Sequence, residues 1–167
     1  MDRKHEHNGL YLAAILGIAC LALLIALSVY VFARPSSPDL VAGLHWRSDW
    51  LSGYSFYLNS APSLFYTLAI GLLIGVCAST RGAALRHCAL WIGIAACLEL
   101  TQAPSIAARL VDWLGSMLPA SAWGTFGPYW QRGVFDPLDL LATFAGGAVA
   151  ILLLSRFSTE RSDETRD

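Results

Sequence analysis

Four apolar runs divide the chain, with polar or mixed segments between them. They occupy residues 10–33, 61–78, 83–101 and 136–154, and the first contains no charged residue. Since a helix needs about 20 apolar residues to cross a bilayer, the pattern predicts an all-α integral membrane protein, a bundle of four spanning helices. The first run is also much longer than the apolar part of a cleaved signal peptide, so we expect it to remain as a span.

A different pattern occurs between the third and fourth runs, in the stretch "SIAARLVDWLGSML". Helical spacing groups its apolar residues on one face and its polar residues on the other. The apolar face comprises Ile106, Leu110, Trp113, Leu114 and Met117. The polar face comprises Ser105, Arg109, Asp112 and Ser116. The pattern predicts an amphipathic surface helix in this loop, which could be a lid over the bundle or an anchor in the membrane surface.

The same patterns divide the chain into three parts. Residues 1–9 form a polar N-terminal segment, residues 10–155 the four-span membrane domain, and residues 156–167 a polar tail that we expect to be disordered. The composition agrees, because 56% of the residues are hydrophobic and only 14% are charged. A net charge of −1 argues against a nucleic-acid partner, which would favour a basic surface.

The distribution of basic residues predicts the orientation of the chain. Seven lie in the N-terminal segment, in the connection between the second and third runs or the beginning of the third run, and in the tail: Arg3, Lys4, Arg81, Arg86, Arg156, Arg161 and Arg166. The other two loops are longer and carry four: Arg34, Arg47, Arg109 and Arg132. Because basic residues accumulate in cytoplasmic loops, both termini are predicted to be cytoplasmic. The two longer loops then lie on the outer face.

The four cysteines, Cys20, Cys77, Cys88 and Cys97, all lie within or beside apolar runs. None forms a Cys-x-x-Cys pair. We expect small buried core residues without disulfide bonds, and neither a metal ion nor another cofactor is predicted.

Polar and ionisable residues cluster where three of the spans reach the outer face. Glu99 and Gln102 end the third span, Asp136 and Asp139 begin the fourth, and Asn59 precedes the second. Charged groups at membrane depth are costly and usually face the interior of a bundle. This set of residues is therefore the candidate site.

The spacing of these residues also indicates which way they point. Glu99 and Gln102 are three residues apart, as are Asp136 and Asp139, so each pair shares one helix face. The face of Asp139 continues through Thr143 to Gly146, a small residue beside which another helix could pack closely. We therefore expect the acids to point into the bundle.

Each acid also has a structural interpretation. Asp136 precedes Pro137, a strong signal for a helix cap, and Asp139 then lies in the first turn, where a carboxylate suits the helix dipole. Glu99 lies near a helix C-terminus, where its charge opposes the dipole. It needs a partner or must be protonated, and Arg132 is the preferred partner.

These residues resemble a known family, the VanZ-like membrane proteins. "ELTQ" at 99–102 is similar to the acid-x-x-Gln pair that ends the family's third span, and "DLLATFAG" at 139–146 to its Asp-containing fourth span. "RGVFDPLD" at 132–139 resembles the approach to that span. The likeness covers about residues 59–155, with Thr143 where the family usually has Asn. It implies a protein of the bacterial cell envelope, in the inner membrane, associated with glycopeptide resistance.

Two functions are compatible with these observations. The first is an outward-facing polar site that binds or acts on a membrane lipid, a lipid-linked envelope precursor or a glycan. Its binding residues would be Asn59, Glu99, Gln102, Arg132, Asp136, Asp139 and Thr143. Glu99 and Asp139 are the candidates for acid–base catalysis, although no nucleophile accompanies them and an enzyme is not favoured. The second function is a non-catalytic accessory subunit of a complex with another membrane protein.

Overall fold

The computed structural model describes residues 3–32 and 58–163 of the chain. Within these ranges it does not describe the side chains of residues 3–8, 30, 126, 132 and 157–163. The regular elements of the described residues are helices: α1 (Arg3–Phe32), α2 (Ala61–Val76), α3 (Arg81–Thr101), α4 (Pro104–Met117), α5 (Ala120–Arg132) and α6 (Pro137–Asp163). The all-α prediction is confirmed for this part of the chain.

Three of these helices are long and apolar enough to cross a membrane. The apolar stretches are Gly9–Val29 in α1, Arg81–Thr101 in α3 and Pro137–Arg156 in α6. Large apolar side chains are exposed along all three helices, including Leu24 and Leu90. Such surfaces are stable against lipid and unusual in a water-soluble chain. The chain therefore has the features of a multi-pass membrane protein.

Helix α2 is shorter than the second predicted span. It has 16 residues and ends at Val76, whereas the apolar run continues to residue 78. At 1.5 Å per residue it is about 24 Å long, less than the 30 Å of a typical hydrocarbon core. A turn follows Val76, and Thr80 then caps the next helix by accepting a hydrogen bond from the Ala83 amide. By length, α2 is an apolar helix and not a candidate span.

Helix α6 is longer than predicted. It continues to Asp163, beyond the boundary at residue 155, through part of the segment that the sequence predicts to be disordered. The added turns include Glu160 and Arg161, which have good helix propensity, so the helix extends past its apolar stretch. Residues 164–167 of the predicted tail lie outside the described residues.

The four apolar helices share one hydrophobic core, with α2 at its centre. Helix α2 packs against α1, α3 and α6, and α3 also packs against α6. The core residues are Ile15, Ala19 and Ala22 of α1, Leu68, Ala69 and Leu72 of α2, Cys88 of α3, and Ala150 and Leu154 of α6. Many of them are small, which allows the helices to approach closely in lipid, where there is little hydrophobic drive between helices.

The cysteine prediction holds for only one residue of the four. Cys88 is buried in the core, whereas Cys20 and Cys97 are exposed on helix surfaces and Cys77 is exposed just after α2. All four are free thiols. The prediction of buried cysteines is wrong for three of them. Cys20 and Cys97 lie on the lipid-facing side of candidate spanning helices, where a small apolar side chain is equally stable, and Cys77 lies in the turn after α2.

Candidate functional site

The site lies at the upper end of the bundle, defined here as the end where α3 ends and α2 and α6 begin. Two glycines of α6 bring the three helices together below it. A side chain at Gly146 would overlap the backbone carbonyl of Leu64 in α2. A side chain at Gly147 would overlap the side chain of Ile92 in α3. The small residues predicted on this face therefore make the close contacts of α6.

The polar residues of α6 lie on the same buried face. Asp139 is only 7% exposed and Thr143 only 1% exposed. Asp139 lies two turns above Gly146, and Thr143 lies one turn above it. The face of α6 that packs closely at Gly146 therefore also directs a carboxylate and a hydroxyl into the bundle. The prediction that Asp139 points inward is confirmed by this burial.

Glu99 faces the bundle from α3. It is partly buried, and its Oε1 atom accepts a hydrogen bond of 3.4 Å from the Ser63 hydroxyl of α2. The bond crosses between two helices, so it links the end of α3 to the beginning of α2. A carboxylate near a helix C-terminus is disfavoured by the dipole, and a hydroxyl donor offsets part of that cost.

Asp139 and Glu99 lie at nearly the same height in the bundle. The contact between Gly147 and Ile92 gives a common reference level on α6 and α3. Asp139 is eight residues above that level and Glu99 seven, so helical rise places them about 12 and 10.5 Å above it. The two acids that the sequence places at one membrane face are thus brought to one layer by the packing of α3 on α6.

Asp136 has a different role from Asp139. Its Oδ1 atom accepts a hydrogen bond of 2.9 Å from the Leu138 amide, and its carbonyl accepts a bond from the Asp139 amide. This is the geometry of a helix N-cap, in which the side chain satisfies an amide of the first turn. Asp136 therefore caps α6, the structural role that its sequence context favours.

Helix α5 closes the side of this end. The Trp130 indole donates a hydrogen bond of 3.0 Å to the Thr101 hydroxyl, and the Tyr129 hydroxyl donates one of 3.3 Å to the Leu98 carbonyl. Both acceptors belong to the last turn of α3, whose final carbonyls lack partners within the helix. The aromatic residues of α5 thus fix the last turn of α3, next to Glu99.

Gln102 lies beside the connection that leads into α6. It is the C-cap residue of α3, and a side chain at Gly133 would lie only 2.8 Å from its Cδ atom. A side chain at Gly133 would lie even closer, at 2.5 Å, to the backbone carbonyl oxygen of Tyr129, and this backbone contact is the stronger reason for glycine there. In this structure the Gln102 side chain lies beside Gly133, in the connection between α5 and α6.

Three other residues of this end complete the comparison with the sequence. Asn59 is partly buried immediately before α2. Ser60 occupies the N-cap position of α2, but its side chain makes no capping bond, and its buried hydroxyl has no partner among the described residues. The predicted contact between Arg132 and Glu99 concerns a side chain that lies outside the described residues.

Sequence reasoning missed Ser63 and Trp130, although a signal for Ser63 exists. Ser63, Thr67, Gly71 and Gly75 recur at intervals of four residues on α2. Such a row of small and hydroxyl residues on an apolar helix is typical of a packing face. Trp130 has no comparable signal, because its partner Thr101 lies on another helix.

No protein-family model, curated protein or solved structure matches the chain.

The arrangement favours binding of groups that donate hydrogen bonds. Ionised carboxylates accept hydrogen bonds only, while serine and threonine hydroxyls both donate and accept. A site with Glu99, Asp139, Ser63 and Thr143 in one region could hold sugar hydroxyls or an ammonium group. Among the described residues, no three His, Cys, Asp or Glu side chains are grouped as a metal site would require.

Proposed function

We propose that the chain is a VanZ-like protein of the bacterial cell envelope, with a polar site open to the outer face of the inner membrane. The site binds or acts on a lipid-linked or glycan-type envelope component. In this proposal the four apolar helices form one bundle within the membrane, the short α2 included, and both termini are cytoplasmic. The upper end of the bundle is then the outer end. Arg132 would add a cation to the polar site.

The burial of Asp139 on the packing face of α6, at the height of Glu99, carries this proposal. A carboxylate that only maintained solubility would be exposed, and one that only capped a helix would resemble Asp136. Acids held inside an apolar bundle are expensive and are usually retained for a ligand or a reaction. The location at a helix end matches the depth at which lipid headgroups and their attached sugars lie.

The resemblance in "ELTQ" and "DLLATFAG" supports the family part of the proposal. Two of its residues, Glu99 and Asp139, are the acids at the upper end. Thr143, which replaces the usual Asn, is fully buried between the helices. A threonine hydroxyl accepts hydrogen bonds but donates only one, whereas the asparagine amide donates two, so the ligand would find one fewer donor there.

The test removes each charge while keeping the shape of the side chain. Full-length wild type and the Glu99→Gln and Asp139→Asn variants are purified in mild detergent, and their copurifying lipids are identified by mass spectrometry. We expect a lipid-linked or sugar-bearing species with wild type and at least a tenfold loss with either variant, at unchanged yield of folded protein. Asp112→Asn, at an exposed acid of α4, is the matched control and should retain the species.

Other outcomes distinguish the alternative. An accessory subunit would retain the same lipids in all variants and would lose a copurifying membrane protein when either acid is changed. If neither lipids nor protein partners change in the Glu99→Gln and Asp139→Asn variants, the binding site is refuted.

A further inference from the structure

One row of apolar side chains on α4 faces away from the other described helices. Ile106, Trp113 and Met117 lie along one side of the helix and are 43%, 56% and 66% exposed. The helix instead buries Ala107. Its neighbour α5 contributes the Trp123 ring, which lies against Gly115. The row is thus not the surface by which α4 packs on the described helices, as a lid would require.

The position of α4 places this row at the boundary of the membrane. Helix α3 is a candidate span that ends at Thr101, and α4 begins at Pro104. Only Gln102 and Ala103 separate the two, so the beginning of α4 cannot lie far from the level at which α3 leaves the hydrocarbon. An amphipathic helix at that level is stable with its apolar side among the acyl chains and headgroups.

A groove of about 400 Å³ runs beside the row. Its lining combines polar and apolar side chains: Ser105, Ile106, Arg109, Leu110 and Trp113. Ser105 and Arg109 are four residues apart and so adjacent on the helix surface. Arg109 is exposed and has no ion pair with any described residue. The groove therefore has hydrogen-bond donors on one side and apolar surface on the other.

We propose that this groove binds the headgroup of a membrane phospholipid. The phosphate accepts hydrogen bonds from the Arg109 guanidinium, whose planar donors suit phosphate oxygens, and from the Ser105 hydroxyl. The first part of an acyl chain lies on Leu110 and Trp113. The proposal goes beyond the function proposed above, because none of these residues belongs to the site of Glu99 and Asp139.

Native mass spectrometry of the full-length protein tests whether the charge of Arg109 contributes to lipid binding. The probe is a short-chain phosphatidylglycerol titrated into protein in detergent. We expect Arg109→Gln to raise the dissociation constant of the most tightly held lipid about tenfold, which is the effect of losing one charge-assisted hydrogen bond. Arg86→Gln, at an exposed arginine on the opposite end of α3, is the control and should bind as wild type. Inorganic phosphate at the same concentration should not displace the lipid.

Photo-crosslinking tests whether lipid or protein covers the apolar side of the groove. Trp113→p-benzoylphenylalanine is illuminated in full-length protein reconstituted in phosphatidylglycerol vesicles, and the adducts are identified by mass. We expect phospholipid adducts. Adducts only to protein would show that a chain segment or second copy covers the row, and would overturn the proposal. The proposal would also be overturned if Arg109→Gln bound lipid as tightly as wild type, if Arg86→Gln weakened lipid binding equally, or if inorganic phosphate displaced the lipid.

Discussion

The two halves of α6 use one buried face in opposite ways. In the lower half, Gly146, Gly147 and Ala150 have little or no side chain, and α2 and α3 fill the space against them. In the upper half, Asp139 and Thr143 occupy the same face with polar groups. Close contact below holds the helices at the separation at which polar groups meet above. The lower half of this face therefore serves close packing, and the upper half holds the buried polar groups.

The largest effect should come from breaking the lower half. We expect Gly146→Ala to destabilise the protein by about 3 kcal/mol, at the upper end of the range for overpacking, because the added methyl group meets the Leu64 backbone carbonyl. Backbone cannot move aside as a flexible side chain can. Thermal unfolding of the full-length protein in detergent measures the loss.

Gly93→Ala is the matched control for this change. Gly93 is also a helical glycine, but an added methyl group there meets nothing within 4 Å. Alanine has the better helix propensity, so this variant should be as stable as wild type or more stable by up to about 1 kcal/mol. Equal losses in the two variants would contradict the close packing of α6 on α2.

A smaller loss of stability should distinguish the capping role of Asp136 from the role of Asp139. Asp136→Ala should cost about 1 kcal/mol of stability, because the Leu138 amide loses its capping partner. Asp136→Asn should cost less than about 0.5 kcal/mol, since asparagine caps nearly as well. Both variants should keep the lipids that copurify with wild type. Loss of those lipids in Asp136→Asn, at unchanged stability, would show that this carboxylate belongs to the binding site.

A small effect on stability should also come from removing the hydroxyl that contacts Glu99. The hydrogen bond from Ser63 is long, at 3.4 Å, so Ser63→Ala should lower stability by no more than about 1 kcal/mol. Its effect on ligand retention should be larger, because Glu99 loses a donor that orients its carboxylate. Unfolding midpoints and copurified lipids, measured on the same preparations, compare the two. A large loss of stability with full lipid retention would make Ser63 a packing residue.

The membrane helices illustrate how far pattern alone predicts this fold. Apolar length places α3 to within two residues and the end of α1 to within one, because hydrophobic runs and helix propensity are local properties of the chain. It misses the beginning of α1, which starts at Arg3 in the polar segment before the apolar run. It overestimates α2, where the helix ends at a turn inside the apolar run. It underestimates α6, because helical hydrogen bonding continues beyond the apolar stretch into polar residues that also favour helix.

The candidate site divides in the same way. Spacing and the cost of buried charge are sufficient to predict the inward direction of Asp139 and the cap at Asp136. They cannot identify Ser63 as the donor to Glu99 or Trp130 as the donor to Thr101, since each pair joins separate helices. They also leave open whether α4 is a lid or an anchor, which depends on the side of the helix that its neighbours cover.

Local sequence patterns are enough to predict that the described chain is helical, which runs are apolar enough for a membrane, and where acids interrupt them. These properties depend on composition and on intervals of three and four residues along one helix. The packing of the helices, in contrast, places the short α2 between α1, α3 and α6 and brings Asp139 and Glu99 to one height. The reason is steric: helices approach where their side chains are smallest, and which small residues face each other depends on both partners at once.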